Sequence, residues 1–291
     1  MSDNCFIFGF GYAAAHFAKE LAKLGFVIVG TTGHPNKYAL NNHRDIKLID
    51  FYSKDIEKYL SKSTYILVSI PPEASVGDPV LSHYAMMIKH YAKSIKWIGY
   101  LSSTGVYGDH QGMWVDEESI CKPKSSSGIR RLEAEQAWLL FAKENKLPLH
   151  IFRLSGIYGI GRNALLRIRL GKKFSIFKEN QVFSRIHVDD IVSVLIASLN
   201  KINPLSIYNI SDDNPEAAHI VDAYAASLLE MQPLPLVRIE DVSLSPMEHE
   251  FYASNRRVSN LKIKNELNVV LQYPSYVEGL AQIWREDFEQ K

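Results

Sequence analysis

The sequence predicts an α/β protein built around a doubly wound parallel sheet, with a smaller α/β lobe towards its C-terminal end. Short apolar runs alternate with segments of helical spacing through the first half of the chain, and this alternation is typical of parallel strands joined by helices. The runs are apolar at nearly every position, as expected for strands covered on both faces. The first run also ends in a glycine turn that leads directly into a helical pattern.

Six runs of the first half are predicted as strands. They cover residues 4–9, 26–31, 45–50, 65–70, 95–101 and 149–154. Apolar residues at helical spacing predict helices over 13–24, 80–94 and 129–145. Because parallel strands need a crossover between them, these helices are expected to make right-handed connections across the sheet.

The second half of the chain is less regular. Helical patterns cover 164–170, 188–199, 219–230 and 276–289, a glycine-rich loop covers 156–163, and one short strand covers 207–210. No low-complexity linker separates the two halves. We therefore predict a first domain over 1–160, which residues 186–210 rejoin, and a C-terminal lobe over 161–291.

Composition and charge exclude several classes of protein. The 291 residues carry a net charge of +1 without a block of like charge, so we expect no nucleic-acid partner and no anionic membrane surface. The apolar runs are too short to span a bilayer, and the first strand leaves no room for a signal peptide. Cys5 and Cys121 have neither disulfide-framework nor metal-ligand spacing. We expect a cytoplasmic protein with a small-molecule substrate and no metal site.

Gly9, Gly11 and Ala14 form a G-x-G-x-x-A pattern between the first strand and the first helix. Gly9 permits the tight turn, Gly11 has no side chain to keep the backbone away from an anion, and Ala14 lets the helix lie close to the strand. The N–H groups and the positive dipole end of the helix then face the anion. The pattern predicts a site for the pyrophosphate of a dinucleotide.

The end of the second strand indicates which dinucleotide is bound. An acidic residue about 20 positions after the glycines is typical of NAD enzymes, because it accepts from the ribose 2′-hydroxyl. Here the chain reads GTTGH at 30–34, without an acid. Thr31 and Thr32 can donate hydrogen bonds and His34 can add positive charge, so we predict NADP, with NAD as the alternative. Equally, the two threonines can simply end the strand.

Five segments together resemble the extended branch of the short-chain dehydrogenase/reductase superfamily, the NAD(P)-dependent epimerases and dehydratases. They are GFGYAA at 9–14, YLSSTGVYG at 100–108, RLSGIYG at 153–159, RIHVDD at 185–190 and YNI at 208–210. The turn, together with Ile70-Pro71-Pro72 after the fourth strand, most resembles the atypical YeeZ-like subgroup. The resemblance implies a Rossmann-type fold, an NAD(P)-binding domain over 1–160, a substrate or cap lobe over 161–291, and oxidoreductase or epimerase chemistry.

The resemblance extends the predicted cofactor site beyond the glycines. It implies that Tyr12 and Ala13 of the turn contact the cofactor, as do Ile70 and Pro71 after the fourth strand. After the third strand, residues 50–51 (Asp50 and Phe51) are expected to border the adenine, although Asp50 can equally be a local cap beside a turn.

The family's catalytic Tyr and Lys, four residues apart on the helix after strand five, are missing from this chain. That spacing puts both side chains on one helical face, where the Lys lowers the pKa of the Tyr for proton exchange with substrate. Ser127 and Arg131 occupy the two places here. Serine is a far weaker acid than a phenol. Arg131 keeps its charge, so it can hold ribose hydroxyls or orient a water but cannot act as a base.

Ser103 occupies the family's place for the hydroxyl that donates to the reacting oxygen. The alternative is that it only finishes a strand. The resemblance also places Thr104, Tyr107 and Tyr158 near the substrate. Arg185 is our candidate for binding an anionic group of the substrate, since arginine suits bidentate recognition.

Two functions remain open at this point. One is an NAD(P)-dependent epimerase, dehydratase or reductase-like enzyme acting on a small sugar-like or nucleotide-linked substrate. The other is a catalytically silent NADP-binding protein, a redox sensor or scaffold, because the cofactor turn is present and the Tyr/Lys pair is absent. The resemblance further implies a homodimer formed through the helices at 80–94 and 129–145.

Overall fold

A seven-stranded sheet forms the centre of the protein in the computed structural model, which describes residues 3–33 and 45–287. The strands of the described residues are β1 (Asn4–Phe8), β2 (Val27–Thr32), β3 (Ile46–Asp50), β4 (Tyr65–Val68), β5 (Trp97–Ser103), β6 (Trp114–Val115), β7 (Leu149–Leu154), β8 (Gly156–Tyr158), β9 (Ser175–Phe177), β10 (Arg185–His187), β11 (Ser206–Ile210), β12 (Leu236–Arg238) and β13 (Arg257–Val258). Within the seven-stranded sheet the order of the strands is β11-β7-β5-β4-β1-β2-β3. The pairs β3–β2, β2–β1, β1–β4 and β4–β5 are parallel.

The helices of the described residues connect and cover these strands. They are α1 (Tyr12–Lys23), α2 (Ile56–Leu60), α3 (Pro79–His90), α4 (Ser126–Asn145), α5 (Ala164–Arg169), α6 (Val188–Asn200), α7 (Ala218–Leu228), α8 (Pro246–Tyr252), α9 (Leu261–Leu267) and α10 (Tyr276–Asp287). Several begin at side-chain caps: Asp78 accepts from the Leu81 amide of α3, and Asn163 accepts from the Leu166 amide of α5. Such caps satisfy amides that the first turn of a helix leaves without an intrahelical partner.

The chain divides into two compact units, of which the first comprises the described residues of Met1–Ser103, Ser126–Arg153 and Val192–Tyr208. Successive side chains of a strand point to opposite faces of a sheet. Tyr100 of β5 therefore meets Trp138 of α4 on one face, while Trp97 meets Phe17 of α1 and Ser198 of α6 on the other. Helices on both faces explain why the strands are apolar throughout.

The second unit comprises Thr104–Ser125, Leu154–Ile191 and the described residues of Asn209–Lys291. Its apolar core joins α5, α7 and α10 through side chains that include Leu165, Ala225 and Leu280. Three small parallel pairs accompany this core, namely β8 with β10, β9 with β12 and β6 with β13. Asp190, in the first turn of α6, accepts hydrogen bonds from the amides of Gln272 and Tyr273.

The predicted α/β fold class with a central parallel sheet is confirmed. The six first-half strands and their three helices are present, with ends shifted by about four residues at most, which is the usual uncertainty for boundaries. The short elements α2, β6, β8, β9, β10, β12, β13, α8 and α9 were not predicted, and β8 occupies the start of the segment 156–163 that was predicted as a loop. Part of the predicted closing helix, beyond residue 287, lies outside the described residues.

Candidate functional site

The glycine turn after β1 is a tight structure in which Gly9 is needed by the protein itself. Gly9 has a φ of +88°, which side chains of L-residues rarely adopt. A Cβ atom at Gly9 would lie 2.6 Å from Cγ1 of Ile70. Ile70, predicted to contact the cofactor, therefore packs directly beneath the turn, while Pro71 next to it is exposed.

Phe10 anchors the turn to the neighbouring strand β2. Its ring is buried and lies over Gly30, where a Cβ would come within 2.4 Å of the ring carbon Cδ2. The Phe10 amide donates to the Thr31 carbonyl over 2.8 Å, and the Gly9 amide donates to the Thr31 hydroxyl over 3.0 Å. The aromatic side chain of the turn thus fills space below it rather than the space in front of the helix.

Gly11 differs from Gly9 and Gly30 because no packing contact with the described residues requires a glycine there. It precedes α1 with ordinary extended dihedral angles, φ −88° and ψ −169°. A Cβ built at Gly11 would meet no heavy atom of the described residues within 4 Å. A side chain there would project in front of the first turn of α1, and the N-terminus of a helix is suited to binding an anion.

The remaining turn residues fix the start of α1. Ala13 and Ala14 are buried, so the helix lies close to the sheet as the G-x-G-x-x-A pattern predicts. Tyr12 is half-buried, with its ring centroid 4.6 Å from that of His16. The turn therefore fits the pyrophosphate of a dinucleotide, on the evidence of the open space at Gly11.

The residues predicted to contact the ribose and adenine occupy several different environments. Thr31 is buried and turned towards the Gly9 amide, and Thr32, the last residue of β2, is half-buried. His34 lies outside the described residues. Asp50 accepts from the Tyr52 amide over 2.8 Å, as a local cap does. Phe51 is buried among aromatic rings beside it.

The two residues at the Tyr and Lys places, Ser127 and Arg131, both lie on α4. Arg131 donates through Nη1 to the Leu101 carbonyl of β5 over 3.0 Å, and lies 3.5 Å from the Tyr100 hydroxyl. Ser127, one turn earlier, is exposed. Burial raises the pKa of Tyr100 well above its ordinary value, so the phenol nearest to Arg131 is a poor proton donor at neutral pH.

A buried ionic network beside this face was missed by the sequence analysis. Arg153 of β7 makes a bidentate ion pair with Glu135 of α4, at 2.8 Å from Nη2 to Oε2. Ser102 of β5 donates to the same carboxylate. Because Glu135 follows Arg131 by four residues, the two share a helical face, and this spacing was the available signal.

Ser103 and Thr104 lie at the carboxyl end of β5, and parallel α/β proteins bind ligands at the carboxyl ends of their strands. Ser103 is half-buried, and Thr104 is buried in the following short 3-10 turn (Thr104–Tyr107). Ser103 is the last residue of the strand, so it remains the candidate for donating to a reacting oxygen.

The other predicted substrate residues make hydrogen bonds within the second unit. Tyr107 donates to Oδ1 of Asn209 over 2.7 Å. Tyr158 donates to the Ser275 carbonyl over 3.1 Å, and burial raises its pKa. Arg185 donates through Nη1 to the carbonyls of Phe183 and Glu216. In this arrangement neither phenol is set up as a proton donor to substrate, and one arm of Arg185 is committed to backbone.

A cavity of about 560 Å³ in the second unit was also not predicted. Lys178 and Arg257 line it, together with Phe177 and His219. Lys178 donates to the Tyr252 carbonyl over 2.6 Å, and Arg257 donates to the Gly112 carbonyl.

The described residues show neither a membrane-spanning helix nor a metal-binding cluster. Across residues 3–33 and 45–287, no helix is long and apolar enough to cross a membrane, and the expected cytoplasmic location stays a prediction. The same part of the chain contains no cluster of three or more His, Cys, Asp or Glu residues arranged to hold a metal ion.

Comparison with known proteins shows similarity over nearly the whole chain. A sequence model of the NAD dependent epimerase/dehydratase family matches residues 5–211. The ADP-L-glycero-D-manno-heptose-6-epimerase of Brachyspira hyodysenteriae is 23% identical over 265 residues, covering 78% of this chain and 83% of the relative.

Two solved structures were also compared. A functionally unknown conserved protein from Silicibacter pomeroyi has a TM-score of 0.91 at 39% identity, covering 99% of this chain and 100% of that one. The dTDP-glucose 4,6-dehydratase of Bacillus anthracis, in complex with NAD, has a TM-score of 0.77 at 18% identity, covering 99% and 98%. At that identity the dehydratase shows the shared fold alone.

Proposed function

Because the chain belongs to the NAD dependent epimerase/dehydratase family, we propose that it binds a nicotinamide dinucleotide at the turn over residues 9–14. We further propose that it acts on a small sugar-like or nucleotide-linked substrate as an epimerase, dehydratase or reductase. The family resemblance of the sequence is confirmed by the same match.

The observation that carries the cofactor proposal is the open space at Gly11. Gly9 and Gly30 are explained by close packing against Ile70 and Phe10. Gly11 has no such explanation in the described chain, because a Cβ there meets nothing within 4 Å. A group from outside the protein, held against the backbone at the N-terminus of α1, accounts for the missing side chain.

Ser103 is proposed to donate a hydrogen bond to the reacting oxygen of the substrate. When bound, the nicotinamide supplies hydride exchange with a substrate carbon. Arg131 holds the end of β5 through the Leu101 carbonyl and, as a fixed positive charge, suits ribose hydroxyls. Ser127 is exposed on the same helical face, but its aliphatic hydroxyl is a far weaker acid than a phenol and so a weak substitute for the family's tyrosine.

NADP is the proposed cofactor, with NAD as the alternative. No acidic residue is present at 30–33, the end of β2, to repel a 2′-phosphate. Asp50 of β3 lies opposite Thr32 of the adjacent strand β2. Its carboxylate, however, accepts from the Tyr52 amide. The dehydratase of Bacillus anthracis is in complex with NAD, which supports a nicotinamide dinucleotide in general and does not favour NADP.

An anionic part of the substrate is proposed to bind in the cavity of the second unit. Lys178 and Arg257 give its lining two positive charges, against one carboxylate from Glu179. The planar guanidinium of Arg257 suits phosphate oxygens, and the ring of Phe177 offers a surface for a base or sugar. The nucleotide-linked and sugar substrates named for related proteins have this character.

The silent binding protein remains a second candidate because the side chains that could replace the family's Tyr and Lys are bonded to the protein itself. Arg131 stands where the family has a lysine and donates to a backbone carbonyl, and the buried phenols of Tyr107 and Tyr158 make hydrogen bonds within their own unit. Of these groups none is placed as an acid or base. Loss of proton transfer with retention of the cofactor turn is what this function would require.

A homodimer through α3 and α4 is also proposed. Met86 on α3 and Leu140 on α4 are 77% and 60% exposed, so each helix presents a large apolar side chain that a second copy could cover. Light scattering should give a dimer mass for the wild-type protein. The Met86→Glu/Leu140→Glu variant should give a monomer mass at the same concentration.

Thermal denaturation with NAD, NADH, NADP and NADPH tests the cofactor proposal. A ligand that binds only the folded protein raises its free energy of unfolding by about 2.7 kcal/mol at a concentration 100 times its Kd. We expect at least one nucleotide to raise the melting temperature, with NADP or NADPH giving the larger shift. If none of the four changes it, both the enzyme and the silent binding protein are excluded.

A further inference from the structure

We propose that Thr31 is a positioning residue of the cofactor turn and does not itself discriminate NADP from NAD. This inference rests on the proposed cofactor function. It gives Thr31 a different role from donating to a 2′-phosphate. Its hydroxyl and carbonyl hold two amides of the turn inside the protein, so that the backbone beyond them faces the cofactor.

The geometry around Thr31 is closed. Its side chain is 0% exposed. The register of β1 against β2 pairs Ile7 with Gly30, which places Thr31 beside the point where β1 ends. Its hydroxyl oxygen accepts from the Gly9 amide at 3.0 Å, and its carbonyl accepts from the Phe10 amide at 2.8 Å. One residue therefore binds two consecutive amides of the turn.

These two hydrogen bonds determine which amides of the turn point inwards. With Gly9 and Phe10 fixed to β2, the chain reverses at Gly11, and the first intrahelical bond runs from Ala15 to the Gly11 carbonyl. The amides at the start of a helix are the ones available to an anion. A shift of the turn by a fraction of an ångström would misdirect them.

The same geometry argues against a role for Thr31 in distinguishing NADP from NAD. Discrimination between NAD and NADP requires a side chain at the ribose 2′ position. The buried Thr31 hydroxyl is committed to the Gly9 amide, and its face of the strand is opposite to that of Thr32. Loss of the Thr31 hydroxyl should weaken both dinucleotides equally, because both carry the same pyrophosphate.

Calorimetric titration of the full-length protein with NAD and with NADP tests this. Thr31→Val keeps the branched shape and removes the hydroxyl, leaving the Gly9 amide without its acceptor. We expect its Kd for both dinucleotides to rise about tenfold, equivalent to about 1.4 kcal/mol. Thr31→Ser keeps the hydroxyl and should bind both with nearly wild-type affinity.

Ser198→Ala is the matched control for simple destabilisation. Ser198 is a buried hydroxyl of the first unit that contacts Trp97, at the start of β5 and so at the opposite end of the sheet from the turn. This variant should lower the melting temperature to a similar degree and leave both Kd values unchanged. Hydrogen exchange at the Gly9 amide should be faster in Thr31→Val than in Ser198→Ala, without any nucleotide present.

The possible contrary results are distinguishable. If the wild-type protein binds neither dinucleotide, the proposed function fails and this inference fails with it. If the wild type binds and Thr31→Val binds equally well, only the positioning role is overturned. A loss confined to NADP would instead assign Thr31 to the 2′-phosphate. An equal loss in Ser198→Ala would reduce the effect to stability, which also overturns the proposal.

Discussion

The turn over residues 9–14 and the face of α4 that carries Ser127 and Arg131, here called the catalytic face, belong to the same unit. They differ in how far their residues match what the family's function requires. In the turn, Gly9 is explained by packing, whereas a Cβ at Gly11 would meet no described atom within 4 Å, and we propose that a bound cofactor accounts for it. On the catalytic face, the family's two chemical residues are replaced by Ser127 and Arg131, and Arg131 donates to the protein's own backbone. The proposed function therefore keeps dinucleotide binding by backbone amides but lacks the two side chains that the family uses for proton transfer.

This difference separates two requirements of the family fold. Pyrophosphate binding depends on glycine geometry and on the end of a helix, which the sheet itself positions. Proton transfer depends on the identity of two side chains, and their substitution leaves α4 and β5 intact. The buried Glu135–Arg153 ion pair joins this face of α4 to β7.

The largest expected effect comes from breaking that pair. Arg153→Met leaves the Glu135 carboxylate buried without its partner, and such a change costs about 3–5 kcal/mol of the free energy of unfolding. Urea denaturation should show this loss. The double variant Arg153→Met/Glu135→Gln should recover part of it, because the uncompensated charge is gone. Equal stability of the single and double variants would show that the ion pair is not what holds the face.

Ser103→Ala tests whether the catalytic face still performs chemistry. Removal of one donor to a developing oxyanion typically lowers kcat about 10²–10³-fold, and we expect a fall of this size in any turnover found. The melting temperature should change little, since Ser103 is only half-buried. The control is Ser94→Ala, an exposed serine ahead of the same strand. Unchanged kcat in Ser103→Ala would remove Ser103 from the mechanism, whereas absence of any turnover in the wild-type protein would favour the silent binding protein.

Gly30→Ala tests the packing beneath the turn. Its methyl group would lie 2.4 Å from Cδ2 of Phe10 and 3.0 Å from Cδ2 of Leu48, and overpacking of this kind costs about 1–3 kcal/mol. Because the displaced ring belongs to the turn, cofactor affinity should fall together with stability. Gly33→Ala is the control, since among the described residues a Cβ there meets nothing within 4 Å, and its stability should stay within about 0.5 kcal/mol of the wild type.

The sequence predicted the sheet and the turn because both leave local signals. Continuous apolar runs such as 65–70 and the spacing of Gly9, Gly11 and Ala14 need no information from distant residues. The partners of Thr31 and Glu135 were not predictable in this way, since each lies at least 18 positions away and depends on strand register.

The small strands and the cavity of the second unit were missed for a related reason. β6 and β13 are two residues long, and their pairing joins segments more than 100 positions apart. Two residues are too few to show the period of a strand. Arg257 lines the cavity because of this pairing, so its environment becomes evident only in the folded chain.

Titration of NADP and NAD into the wild-type protein and the Gly11→Ala variant tests the central claim most directly. An added methyl group at Gly11 contacts nothing in the described chain, and its cost to helix capping is about 1 kcal/mol or less. We predict that the wild type binds, that the variant binds at least about tenfold more weakly, and that their melting temperatures without nucleotide differ by only a few degrees. Equal affinity of the two proteins would contradict a pyrophosphate at this turn.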